Sequence, residues 1–362
     1  MDSFSVKEQQ SEEPTDAEKT VEFERFGVVT DDTDHRFRDS NRGKNFDDSR
    51  LYKTIMREWK ILEKNLPESI YVRAYENRLD LMRAVIVGAA GTPYHDGLFF
   101  FDIVFPSDYP NNAPRLHYHS FGYRLNPNLY SNGTVCLSLL NTWHGKGNER
   151  WHPGESTMLQ VLLSIQALVL NEKPFFNEPG LEGLASFMLN LEKKSCVYNE
   201  NAYFSTCKTS YQLLRKPPRN FEDFVSCHFR QRAESIINAS REYMSGRVRI
   251  GYYSCESAPS SSSGVYVSED FKHWMKEFSP VFVHALRRNG SPSDGVGSPS
   301  NSVGLESSAA YFVVQWDIDY DEESESKGGI KESESKGGGL FKRVMDKIKK
   351  SFGWKKIGKN NK

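Results

Sequence analysis

From Ser49 the chain repeats apolar side chains at helical spacing, Leu51, Ile55, Trp59, Leu62 and Leu66, until Pro67 stops the run. The spacing predicts an amphipathic first helix. Four β-rich stretches follow, SIYVRAYE, LDLMRAVIVGAA, LFFFDIVF and RLHYHS, parted by turn-forming segments such as GTPYHDG and PSDYPNNAP. This order fits a four-strand antiparallel meander. The later half reads as helical. Ser156 is placed to cap a helix whose Leu159, Leu162, Leu163, Gln166 and Val169 share one face before EKPF breaks it. A second pattern runs from about Leu181 to Leu214. A third runs from Phe221 to Met244, with Phe221, Phe224, Val225, Phe229 and Ile236 on one stripe. The expected fold class is α+β: an N-terminal helix, the meander and a helical C-terminal half, folded over residues 49–245 and closing near Gly246.

The flanks read differently. Residues 1–48 are rich in Asp, Glu, Ser and Arg and hold a single apolar island, Phe23 to Val29, so a flexible arm is expected there. Beyond Gly246, a serine patch precedes a short amphipathic stretch with Phe271, Trp274, Met275 and Phe278, which is expected to dock as an extension over 246–288. A Gly/Ser-rich and then acidic linker over 289–339 contains one strand candidate, AYFVVQW. The last segment, 340–362, is a basic tail in which Leu340, Val344, Ile348 and Phe352 recur every four residues opposite Lys342, Arg343, Lys347 and Lys350. That pattern suits either a membrane-surface or acidic-partner helix, or a solvated tail paired loosely with the preceding acidic run.

Composition adds exclusions. The 362 residues carry 47 Lys and Arg against 48 Asp and Glu, so no overall field draws the chain to nucleic acid, which is not expected as a partner. The N-terminus lacks a signal-peptide pattern and no uncharged apolar run approaches a membrane span, so the expected location is cytoplasm or nucleus, with peripheral membrane association through the basic tail as an added reading. The five cysteines (Cys136, Cys196, Cys207, Cys227 and Cys255) are an odd set without a CxxC pair, which argues against a disulfide framework and against a zinc site; no metal is expected. In a reducing compartment such a set can include a working thiol.

The long, weakly periodic stretch FGYRLNPNLYSNGTVCLSLLNTWHGKGNERWHPGE is where chemistry is expected. Within it Asn128 precedes Cys136 by eight residues and Gly133 by three. Together with the upstream GTPYHDGLFFFDIVFPSDYP and the downstream Trp151 and Pro153, this segment resembles the catalytic fold of ubiquitin-conjugating enzymes over about residues 49–245. Members usually show His-Pro-Asn where this chain has Asn126-Pro127-Asn128. The extra residues between Trp143 and Trp151 are similar to those of a large subclass that sometimes combines conjugating and ligase activity.

The resemblance implies that Cys136 carries ubiquitin, or a related modifier, as a thioester and passes it to a substrate lysine, alone or with a ligase. It implies partners: ubiquitin, an activating enzyme, a ligase and protein substrates. It implies no cofactor on this chain, ATP being used by the activating enzyme, and no GxxxxGK[ST] phosphate loop occurs here. Asn128 is assigned to the oxyanion. Asn177 and Glu178 are the candidates for a proton-handling gate after the central helix. Arg50 and Lys53 are assigned to the activating enzyme, and Pro110, Trp151 and Pro153 to a ligase. Ser138 stands where many members carry Asp, and Asn111 where an apolar residue is common. The Phe23 to Val29 island is either a strand added to a modifier-binding groove or a segment packed on its own domain.

The chemistry is coherent without the family. Moving an acyl group between proteins needs a nucleophile that is also a good leaving group, and a thiolate is both. Two rivals stay open: a cysteine protease acting on modifier conjugates, with His144 or His152 as base, and an inactive ubiquitin-binding variant.

Overall fold

A computed structural model describes residues 23–40, 49–142, 149–178, 189–254 and 265–289. The basic tail, the AYFVVQW strand candidate, Cys255, Trp143 and His144 lie outside them. Five strands form one sheet in the order β1 (Phe26–Val29), β2 (Ile70–Tyr75), β3 (Arg78–Val87), β4 (Leu98–Val104) and β5 (Arg115–Tyr118). Strands β2 to β5 form the antiparallel meander expected from the sequence. The fifth strand was not expected: β1 lies parallel to β2, with Phe26 opposite Val72 and Val29 opposite Tyr75. It comes from the segment assigned to a flexible arm. Between the two readings of the island, the structure places it on its own domain.

Side chains alternate across the sheet as a two-residue period requires. Val72, Ala74, Met82, Ala84, Ile86, Phe99, Phe101 and Ile103 face the core shared with helix α1 (Ser49–Asn65) and helix α2 (Met158–Ser164). The stripe Leu51, Ile55, Trp59 and Leu62 is buried on α1. Glu58 ties the two helices together, because its carboxylate accepts Met158 N at the start of α2 (3.0 Å) and Tyr109 Oη (2.7 Å). Burial pushes its carboxyl up against those two hydrogen bonds. Thr157, not Ser156, caps α2. Its hydroxyl accepts Gln160 N while the Gln160 side chain accepts Thr157 N, a capping box, and Ser156 Oγ instead accepts His152 N at 2.9 Å.

The other face is covered too. Val85, Leu98 and Phe100 pack against helices α3 (Leu189–Arg215), α4 (Glu222–Met244) and α5 (Glu269–Arg288). The fold thus continues past Gly246: Phe271, Met275, Phe282 and Leu286 of α5 are buried, and Trp274 stacks on Phe204. The α5 start is fixed by Ser268, whose hydroxyl accepts Phe271 N and donates to Glu200.

Between these helices and the far end of the sheet lies a buried ion cluster. Arg83 and Asp102 are directly opposite on β3 and β4, and Arg83 Nε donates to Asp102 Oδ1 at 2.6 Å. His119 Nε2 lies 3.1 Å from Asp102 Oδ2, which also accepts Arg36 N at 2.8 Å. Arg83 Nη1 reaches Asp34 at 2.8 Å, and Asp34 in turn accepts Arg219 N at 3.0 Å. Burial pushes the Asp102 carboxyl up, but His119, Arg83 and His35 outweigh it and hold the group far below the usual carboxylate range. The acidic N-terminal segment is therefore a counter-charge for a cation buried in the sheet. Phe37 follows it down onto Tyr75, Leu81 and Val104.

Removing Asp102 leaves the buried Arg83 with only the partly exposed Asp34 as counter-charge, and breaking such a buried pair typically costs about 3–5 kcal/mol. Asp102→Ala should lose stability on that scale in a denaturant melt. Hydrogen exchange should rise first in residues 31–37, since their anchor is gone. Unchanged protection of that segment would refute its dependence on the cluster.

Candidate active site

The site is built on a small hairpin. Asn132-Gly133 turns the chain, with Gly133 N donating to Tyr130 O and Tyr130 N to Thr134 O, both at 3.0 Å. Gly133 sits at φ +85°, and a Cβ there would lie 2.1 Å from the His117 ring, so both conformation and space demand glycine. The hairpin brings residue 136 back to residue 128: Cys136 N donates to Asn128 O at 2.9 Å, and Asn128 Nδ2 donates to Cys136 O at 3.0 Å. Thr142 closes the far side, accepting Leu137 N and donating to Val135 O.

Asn126 anchors this hairpin to the body. It is fully buried, its Oδ1 accepts Asn128 N (2.8 Å), and its Nδ2 donates to Tyr94 Oη (2.7 Å) and Val169 O (2.8 Å). The carbonyl of Val169 is open because α2 runs on into a π-helical turn, Ile165–Val169, and ends there. Asparagine in this place thus fills a structural role with every polar atom used. Asn177 Nδ2 reaches the same carbonyl at 3.2 Å while its Oδ1 accepts Asn171 Nδ2 at 2.7 Å. Of the two gate candidates, Asn177 is therefore committed to the scaffold.

Glu178 is tied to the loop that precedes the hairpin. Arg124 Nη2 donates to its Oε1 at 3.2 Å, and the Arg124 guanidinium lies 4.9 Å from the Tyr130 ring centroid. The Tyr130 hydroxyl in turn acts on the Cys136 thiol, opposing the upward push of burial. A continuous row, Glu178, Arg124, Tyr130, Cys136, results. Cys136 is 8% exposed, and burial pushes its thiol up, with the Tyr130 hydroxyl and the Arg124 charge opposing that shift.

Tyr130 and Arg124 were missed in the sequence. The SNG turn was the available signal for Tyr130, since it folds residue 130 back beside the thiol; Arg124 carried none. The remaining assigned residues lie elsewhere. Arg50 and Lys53 are exposed on the first turns of α1. Trp151, assigned to a ligase contact, is instead buried against Tyr109, and its indole N–H donates to Pro110 O at 2.7 Å. It is a clamp on the Tyr109-Pro110 turn. Pro110 is half-buried and Pro153 exposed. Of the other described cysteines, Cys207 is buried, Cys196 half-buried and Cys227 exposed.

Residues 54–203 match the family model described as ubiquitin-conjugating enzyme. The chain is 50% identical over 266 residues to "Putative ubiquitin-conjugating enzyme E2 38" of Arabidopsis thaliana, covering 72% of this chain and 81% of that protein. It is 48% identical over 272 residues to "Probable ubiquitin-conjugating enzyme E2 24" of the same plant, covering 75% of this chain but only 29% of the relative. Human "Dual E2 ubiquitin-conjugating enzyme/E3 ubiquitin-protein ligase BIRC6" is 35% identical over 243 residues, which cover 62% of this chain and 5% of that one. The chain thus spans less than a third of the length of two of these three relatives.

The Tyr130 hydroxyl opposes the burial that raises the thiol, so its loss should move the Cys136 ionisation to higher pH. Tyr130→Phe should alkylate more slowly at neutral pH, by roughly fivefold for one hydrogen bond of about 1 kcal/mol, and reach the wild-type plateau when fully ionised. Mass-spectrometric counting of alkylated Cys136 across pH measures this. A midpoint that stays in place would show that the phenol does not act on the thiol.

Proposed function

The chain belongs to the ubiquitin-conjugating enzyme family, and on that premise we propose that it receives ubiquitin from an activating enzyme as a thioester on Cys136 and transfers it to a substrate lysine. The observation that carries this reading is the placement of a buried thiol at the end of a hairpin locked to Asn128, with Arg124 acting on that thiol and itself paired with the Glu178 carboxylate. In loading, the Cys136 thiolate attacks the thioester carbonyl on the activating enzyme. The new C–S bond forms as the donor thiolate leaves, so the bond energy is conserved and no cofactor of this chain is consumed.

In transfer, the Glu178 carboxylate takes a proton from the acceptor ammonium. The neutral amine attacks the Cys136 thioester, the C–N bond forms, the C–S bond breaks, and the second amine proton passes to the departing thiolate or to water. Charge gathers on the carbonyl oxygen during attack. Asn128 Nδ2 has two hydrogens, one on Cys136 O, and the second is the proposed donor to that oxygen. Arg50 and Lys53 are proposed to face the activating enzyme. Ubiquitin, a ligase and protein substrates are the other proposed partners, and the dual name of one relative makes transfer without a separate ligase a reaction to assay. Among the described residues the groups acting on the thiol are a phenol and a guanidinium, and His152, one of the two bases a cysteine protease would use here, is not one of them.

Incubation with activating enzyme, ATP and ubiquitin should yield an adduct on Cys136 that is stable to detergent and cleaved by thiol reductant. Cys136→Ser should give an oxygen ester that resists reductant and discharges poorly to lysine, because an alkoxide is a worse leaving group than a thiolate. An adduct that forms equally on Cys136→Ala would place the acyl group on another residue.

A further inference from the structure

Arg124 stands in the row of groups at the thiol, yet neither loading nor transfer as written has a step for it. Its guanidinium holds Glu178 Oε1 at 3.2 Å with the two side chains 44% and 25% exposed, so the pair is open to solvent and to an incoming group. The same guanidinium lies over the Tyr130 ring, 4.9 Å from its centroid, which fixes the cation between the carboxylate and the phenol ring. The acceptor lysine arrives as an ammonium. It therefore meets a carboxylate that already has a cation, and two like charges on one carboxylate repel at this range.

We propose that Arg124 is a positioning residue that competes with the acceptor lysine for Glu178, so that the proton-accepting carboxylate becomes available only to an ammonium that displaces the guanidinium. The inference deepens the transfer reading and rests on it. A lysine held in place by a bound substrate presents a high local concentration and wins the exchange. A free amine in solution does so rarely. Arg124 thus sets a threshold against discharge to unbound amines. The Tyr130 ring gives the displaced guanidinium a face on which to remain, which keeps the exchange local.

The test uses the charged full-length protein, discharged in single turnover to free lysine and, separately, to hydroxylamine, which is uncharged at neutral pH and needs no carboxylate to lose a proton. The ratio of the two rate constants cancels any influence of Arg124 on the leaving thiolate, which both reactions share. Arg124→Ala should raise the lysine-to-hydroxylamine ratio by about two- to fivefold, the range expected when a partly exposed ion pair no longer competes. Arg124→Lys, which keeps the cation, should stay near wild type. In a Glu178→Gln background the effect of Arg124→Ala should vanish. An unchanged or lowered ratio in Arg124→Ala, or an increase that persists without the Glu178 carboxylate, would overturn the proposal. A wild-type protein that forms no thioester on Cys136 would instead overturn the transfer reading, and this inference with it.

Discussion

One backbone carbonyl, that of Val169, organises the site. Helix α2 runs into a π turn and leaves this acceptor without a helical partner, and two side-chain amides, Asn126 Nδ2 and Asn177 Nδ2, satisfy it at 2.8 and 3.2 Å. Asn126 begins the loop that carries the thiol. Asn177 precedes Glu178. A helix end buried without partners would be costly, so satisfying this one acceptor draws the Cys136 loop and the turn before Glu178 to the same point. From there the chain of bonds is short: Asn126 Oδ1 holds Asn128 N, and Asn128 holds both polar atoms of the Cys136 backbone. The thiol is placed by backbone pairing, leaving its side chain to the chemistry.

A second buried constraint holds the platform. Arg83 and Asp102 face each other across two strands, and the sheet's outer face is completed by helices at one end and by the N-terminal segment at the other. Glu58 performs the equivalent task on the inner side, joining α1, the Tyr109-Pro110 turn and the start of α2 through one carboxylate.

How far these features were legible follows from the range over which each acts. The meander, α1 and the stripe of α4 depend on periodicity within one segment, and the sequence displayed it. Cys136, Asn128 and Gly133 stand within a nine-residue span whose turn chemistry is local, so their meeting could be read as a motif. The N-terminal segment could not. Its acidic residues resemble those of a solvated arm until their partners are known, and Asp34 finds Arg83 and Arg219, 49 and 185 residues away. Trp151 misled for a related reason: an aromatic beside a proline suggests a docking surface, but Tyr109 and the Pro110 carbonyl, 41 residues upstream, enclose it. The choice between Asn177 and Glu178 needed the end of α2, because only the π turn shows which of the two is used by the scaffold. Arg124 was hidden because a charged residue in a loop is ordinarily solvated, and nothing nearby in sequence announces the Tyr130 ring or the Glu178 carboxylate.

The central claim is that the amides of this loop both build the site and act in the transfer, with Asn128 at the junction of the two roles. The direct measurement is single-turnover discharge of pre-charged Asn128→Ala to lysine, run beside a melting curve. Loss of the hydrogen bond to Cys136 O should lower stability by about 1 kcal/mol. Charging should remain close to wild type, and discharge should slow by roughly two orders of magnitude, the scale of one lost oxyanion donor. Discharge at the wild-type rate, or a loss of charging and discharge together in step with stability, would contradict the account and leave Asn128 as a loop tie alone.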